Sequence, residues 1–236
     1  MEPATAIGHG LLLLDRGAQI IDVGAESTRP GAEPLPQDEE WRRLAPVLGG
    51  LLQARPGCTL SVDTLSPWVA AKALEAGAKV INNVTGFGNP GMMDVAITGD
   101  CALIAVRSRL RGERIWMPDY SDPSPKDASE AVGELCAIRD RILGSGIDPE
   151  RVALDPGFGF GTTYSEDCAI WESLPALPAL LDWPIQRLCI GISRKRFIAQ
   201  RFNVQSNEML DNRTSQLHGD ASLLGYHVFR THSLAG

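Results

Sequence analysis

Leu60-Ser61-Val62-Asp63 is a short apolar run that stops at a carboxylate, with Ser66-Pro67 close behind and Gly77 further on. Ser66 reads as a helix N-cap, Pro67 suits the first helical position, and Gly77 closes the helix. The stretch is therefore one strand–loop–helix unit. Apolar runs of the same kind occur at Gln19 to Gly24, Lys79 to Asn83, Ala102 to Val106, Val152 to Asp155, Leu188 to Ser193 and His227 to Arg230. Helical stretches separate them, among them residues 4–16, 127–143, 165–175 and 212–225. Strands that are apolar on both faces and alternate with helices indicate a parallel sheet covered by helices. The fold class expected is α/β, a (β/α)8 TIM barrel, with residues 1–236 forming one domain. Built from these elements, such a barrel lacks its first strand and its last helix. An unpaired barrel edge is an aggregation hazard, so the chain is expected to be a fragment or to omit segments. An open doubly wound sheet of seven strands is the structural alternative.

In a parallel barrel the strand ends meet on one face, where the chemistry sits. Read in order, those ends are Asp, Asp and Asn, then Asp, Ser-Arg-Lys and Arg. They describe a pocket as well as a fold.

The composition narrows the class. With 236 residues, 44% hydrophobic and 22% charged, the chain is an ordinary globular protein with room for one large core. Its net charge of -7 argues against nucleic acid or an anionic membrane as partner. The five cysteines are scattered, without C-x-x-C spacing, which fits a reducing cytoplasm and opposes a zinc site or a disulfide frame. The Leu11 to Leu14 run is too short for a membrane span.

Five groups of residues carry the chemistry. Asp22 to Ala32 takes a strand into a loop rich in Gly, Ser, Thr and Arg, whose amides, hydroxyls and guanidinium suit an anionic oxygen ligand. A polar turn closed by Gly and Pro would read the same way. Asp63, Asn82 and Asp155 can present acceptors and donors to one flat heterocycle, since a carboxylate accepts two parallel N–H bonds. Each could instead cap the next helix, but three on one barrel face exceed what capping requires. Asp155-Pro156-Gly157-Phe158-Gly159-Phe160-Gly161 combines glycines, which let backbone approach a ligand, with aromatics that can flank a planar ring. Finally, Ser193-Arg194-Lys195 leaves a strand with two cations, and Arg230 and His232 stand on the same side of an extended chain. The first is otherwise a solvated basic turn. The second suits a phosphate.

Taken together and in order, these segments resemble the dihydropteroate synthase family, from about residue 2 to 233. The resemblance rests on Ser27-Thr28-Arg29-Pro30-Gly31 and on the Asp155 to Gly161 run, both highly specific in combination. Ser61-Val62-Asp63-Thr64, Ile81-Asn82, Ser193-Arg194-Lys195 and Arg230-x-His232 add to it. It implies a transferase that joins 4-aminobenzoate to 7,8-dihydropterin-6-ylmethyl diphosphate, releasing pyrophosphate and forming the folate precursor dihydropteroate. It further implies that Asp63, Asn82, Asp155 and Lys195 hold the pterin. Thr28, Arg29, Arg230 and His232 would hold the diphosphate, and Pro30, Phe160, Ser193 and Lys195 would frame the aminobenzoate pocket. No protein nucleophile is implied. Magnesium (Mg2+) is implied as cofactor, held mostly by phosphate oxygens and water. The partners implied are the small-molecule substrates and a second copy of the chain in a homodimer.

The chain departs from the family pattern in four places. The Asn-Val-Thr-Pro-Asp-Ser-Phe loop that follows the family's first strand is absent. Thr162 replaces a lysine, and the family's Met-His-Met is replaced near Val106-Arg107-Ser108 or Ser108-Arg109-Leu110. Asn83 and Thr231-His232-Ser233 stand where Asp and Val-His-Asp are usual. The alternatives are a non-catalytic pterin-binding paralogue and, third, a methyltetrahydrofolate–corrinoid methyltransferase, which has no use for the Arg230 and His232 clamp.

Overall fold

The computed structural model describes residues 2–25, 35–112, 114–122, 124 and 126–234. They form two compact units, Met1–Ala105 with Ile142–Val152, and Val106–Arg141 with Ala153–Ala235.

The first unit opens with α1 (Pro3–Asp15) and continues through β1 (Ile20–Val23), α2 (Gln37–Ala54), β2 (Thr59–Asp63), α3 (Pro67–Glu75), β3 (Val80–Asn83), α4 (Pro90–Thr98) and β4 (Ala102–Val106). Its strands are parallel neighbours in chain order, β1-β2-β3-β4. Strand–helix alternation forces this, because a helix crossover returns the chain in the same direction. β3 is buried at every residue, as a strand covered on both faces must be. Leu60, Val62, Ile81 and Leu103 of the strands and Leu48, Leu51, Val69 and Met92 of the helices are all buried in the core. The α3 punctuation is as expected: Pro67 opens the helix and the Ser66 hydroxyl accepts from Val69 N at 3.3 Å.

The second unit carries the antiparallel pair β5 (Leu110–Arg111) and β6 (Arg114–Ile115), then α5 (Ser129–Gly144), β7 (Val152–Asp155), α6 (Tyr164–Ser173), α7 (Leu177–Leu181), β8 (Cys189–Ile190), α8 (Arg196–Phe202), α9 (Asn207–Leu223) and β9 (Val228–Phe229). Leu154 bridges Leu188 in parallel, and β8 pairs β9 in parallel with Cys189 opposite Val228. The helix expected at 212–225 begins at Asn207 instead, capped by Ser206, whose hydroxyl accepts from Met209 N. Its polar first turn had hidden the start. Phe158 stacks with Phe197 (ring centroids 5.5 Å apart) and Trp171 (6.2 Å) in this unit's core. No helix among the described residues is long and apolar enough to cross a membrane.

Candidate active site

In the first unit β2 and β3 align Asp63 with Asn82 as register partners, so the two side chains emerge side by side. Asp63 does not cap α3, since Ser66 does. The Asn82 Nδ2 donates to Asp22 Oδ2 at 2.8 Å. A carboxylate can only accept there, so it fixes the amide with its oxygen turned away. That oxygen, Asn82 Oδ1, is buried and has no hydrogen-bond partner among the described residues, as is true of Ser61 Oγ. A buried acceptor without a donor is costly unless a ligand or water supplies one. Asn83 is structural: its Oδ1 accepts from Phe87 N (2.8 Å) and Thr85 N (3.2 Å), turning the loop after β3. Thr28, Arg29 and Pro30 lie outside the described residues.

In the second unit Asp155 ends β7 fully buried. Its Oδ1 accepts from Gly157 N at 2.7 Å, and its Oδ2 faces Arg230 Nη2 at 3.2 Å. One oxygen thus turns the loop, as a capping residue would, while the other is half of an ion pair. Gly191 makes this pair possible, because a Cβ there would lie 2.9 Å from Arg230 Nη2 and 3.0 Å from Asp155 Oδ2.

The loop after Asp155 splits its two aromatics. Phe158 enters the core, while Phe160 lies beneath Lys195, whose Nζ is 3.7 Å from the ring centroid. The same Nζ donates to Phe158 O. Burial pulls the Lys195 amine down to about 7, helped by the nearby Arg230 guanidinium and opposed by Asp155 and Asp167. A lysine that titrates near neutrality beside a buried carboxylate is a candidate functional group. Thr162, read from sequence only as a lost lysine, is buried, and its Oγ1 accepts from Gly159 N at 3.0 Å. Asp167 Oδ1 accepts from the same amide at 3.0 Å and its Oδ2 from Tyr120 OH at 2.7 Å.

The basic turn divides its labour. Arg194, at φ 55°, makes a two-pronged pair with Asp211 (2.8 and 2.7 Å), which is structural. Lys195 turns to the loop. Ser193 Oγ accepts from His232 N at 3.1 Å and lies 3.1 Å from His232 Nδ1. Thus Asp155, Lys195, Arg230 and Phe160 are gathered around one loop, with Ser193 and His232 joined to each other. In the second unit sequence reasoning missed Asp167, Arg107, Arg109 and Glu134, and in the first it read Asp22 only as a strand end and the start of an anion loop. Asp22 carried a signal, since it ends its strand as Asp63 does. The others act through pairings far apart in the chain.

Gly157 permits the tightest approach in the loop. It sits at φ 69°, and a Cβ there would lie 1.8 Å from the Arg107 carbonyl oxygen. Gly157→Ala is therefore expected to lower stability by at least about 2 kcal/mol, from backbone strain plus overlap. A shift of the urea midpoint reads it, and an unchanged midpoint would contradict this packing.

Among the described residues no group of three His, Cys, Asp or Glu side chains could hold a metal ion. The described residues by themselves therefore offer no site for a resident magnesium.

Known proteins resemble this chain over most of its length. The family model described as pterin binding enzyme matches residues 1–232. The dihydropteroate synthase of Mycobacterium leprae is 36% identical over 203 residues, covering 85% of this chain and 68% of that protein. The Xanthomonas albilineans dihydropteroate synthase with 4-aminobenzoic acid superimposes with TM-score 0.85 at 33% identity, over 98% of this chain and 80% of that one. The same enzyme in complex with 7,8-dihydropteroate gives TM-score 0.81 at 30% identity, over 99% and 82%. The parallel strands alternating with helices are the α/β class that the sequence indicated, and these relatives share it.

Proposed function

The chain belongs to the pterin binding enzymes, and from that membership we propose that it is a dihydropteroate synthase acting in folate biosynthesis. It condenses 4-aminobenzoate with 7,8-dihydropterin-6-ylmethyl diphosphate. The observation that carries this is the buried Asp155 carboxylate, held by Arg230 at 3.2 Å beside the near-neutral Lys195. A flat heterocycle with adjacent N–H donors needs such a carboxylate, and a diphosphate needs such cations.

In this proposal Asp63, Asn82, Asp155 and Lys195 take the pterin. Asn82 Oδ1, turned from Asp22, accepts a ligand N–H. Arg230 and His232, with Thr28 and Arg29, take the diphosphate. Phe160, Ser193, Pro30 and Lys195 border the aminobenzoate.

The chemistry then needs no protein nucleophile. The bond between the methylene carbon and the diphosphate oxygen breaks, and pyrophosphate leaves with the electron pair. The pterin ring delocalises the positive methylene. The aminobenzoate nitrogen forms the new C–N bond and sheds a proton. The residues serve by orienting both substrates and by neutralising the leaving group. Magnesium, if it accompanies the diphosphate substrate, would supply further neutralisation of the leaving group.

A coupled pyrophosphate-release assay with the purified chain tests this. Release that depends on both substrates is the expected outcome. Pterin binding without any release would defeat the synthase assignment.

A further inference from the structure

We propose that Arg107 is a positioning residue of the pterin site, holding the Asp155 loop in the shape that presents the carboxylate. The proposal rests on the pterin reading above. Arg107 is fully buried, an unusual place for a guanidinium. Its Nε donates to Pro156 O at 2.7 Å and its Nη2 to Gly157 O at 3.1 Å. Its Nη1 donates to Glu134 Oε2 at 2.8 Å, which supplies the countercharge. Its own backbone N donates to Asp155 O at 2.9 Å. One residue thus ties down three consecutive carbonyls of the loop that begins at the pterin-facing acid.

Arg109 extends the brace. Its Nη1 donates to Gly161 O at 3.2 Å, its Nε to Glu134 Oε1 at 2.7 Å, and its Nη2 to Glu166 Oε1 at 2.6 Å. Glu134 therefore joins both arginines, and the loop from 155 to 161 is gripped at each end. This is what Arg107 and Arg109 do in the stretch, Val106-Arg107-Ser108 or Ser108-Arg109-Leu110, that departs from the family's Met-His-Met. A side chain without N–H donors could not cap these carbonyls, and buried carbonyls left unpaired are expensive. A planar fork with five donors can serve two carbonyls and a carboxylate at once. Asp155, in turn, aims its Oδ1 at the amide of Gly157, inside the segment that Arg107 holds. Any slackening of the brace moves the acid that meets the ligand.

The test compares Arg107→Met and Arg107→Lys with the intact chain, and uses Arg151→Met as control. Arg151 makes the same kind of carbonyl contacts, to Ala96, Gly99 and Cys101, in the first unit. Arg107→Met is expected to weaken binding of 6-hydroxymethylpterin monophosphate at least about tenfold. In the ligand-free protein, amide exchange in a peptide covering 155–162 should accelerate by a similar factor. Arg107→Lys keeps the charge without the fork and should fall between the two. The pH above which pterin affinity declines should move upward in Arg107→Met, because a cation near Lys195 is gone. Loss of fold stability alone would not move it. Arg151→Met should leave pterin affinity and exchange at 155–162 unchanged.

Unaltered affinity and exchange in both Arg107 variants would overturn the proposal while leaving the pterin reading intact. Should Arg107→Met not fold, unaltered values in Arg107→Lys alone would overturn it. Should the intact chain take no pterin, that reading falls and the exchange rates decide the brace by themselves.

Discussion

Asp155→Asn is expected to weaken binding of a pterin analogue by about a hundredfold. The carboxylate is fully buried and ends its strand beside Arg230. As a carboxylate it can accept parallel N–H bonds. As an amide it offers one acceptor and confronts the ligand with its own donors. Hydrogen bonds to a charged group contribute about 1.5–3 kcal/mol each, and a tenfold change in affinity is about 1.4 kcal/mol, so one lost bond plus one donor clash gives roughly this factor. The loop itself should survive, because an Asn Oδ1 can still accept from Gly157 N. A titration calorimeter reads the change, with circular dichroism as the check on folding. An affinity within threefold of the intact chain would remove Asp155 from the site.

Lys195→Met should cost turnover more than any other single change, about 10²–10³ in kcat/KM. Removal of one preorganised group that stabilises developing charge has this scale. The pH dependence adds a sharper signature. In the free protein the amine titrates at about 7, so below that pH it is an ammonium able to face an anionic or carbonyl oxygen. Affinity for the pterin diphosphate should therefore fall as pH rises above about 7, and Lys195→Met should lose that dependence. The stability effect runs the other way. The folded-state value is lowered from 10.5 to about 7, so between these values the unfolded chain binds a proton that the folded chain does not. Stability consequently rises with pH across that window, and the penalty is fully present below it. Lys195→Met should accordingly be more stable than the intact chain at pH 6–7 and far less active.

The strands were legible because each obeys a local rule. An apolar run of four or five residues, bounded by a polar end and a capped helix, can be read without knowing its neighbours, and all seven runs contain strands. Ser66 and Pro67 show the same locality at the start of α3. The start of α9 was missed because Asn207 and Glu208 carry no apolar periodicity, although Ser206 caps them. The short β5–β6 pair has two residues in each strand and no alternation to reveal it. At the site, Asp63, Asn82 and Asp155 were legible as strand ends. What each of their atoms does was not. Neither the pairing of Asn82 with Asp22, across 60 positions, nor the 3.2 Å contact between Asp155 and Arg230, across 75, follows from sequence spacing. Arg194 and Lys195 looked equivalent, yet Asp211 claims one and the loop after Asp155 claims the other. Arg107 was visible only as an anomaly, because its carbonyl partners lie 49 and 50 residues away.

The central claim is that the carboxylate-tipped strands of this chain recognise a pterin. Titration of the intact protein with 6-hydroxymethylpterin monophosphate, followed by heat, addresses it directly. Saturable binding with one ligand per chain is predicted, stronger at pH 6 than at pH 9. No measurable heat at millimolar ligand, from protein shown to be folded, would contradict it.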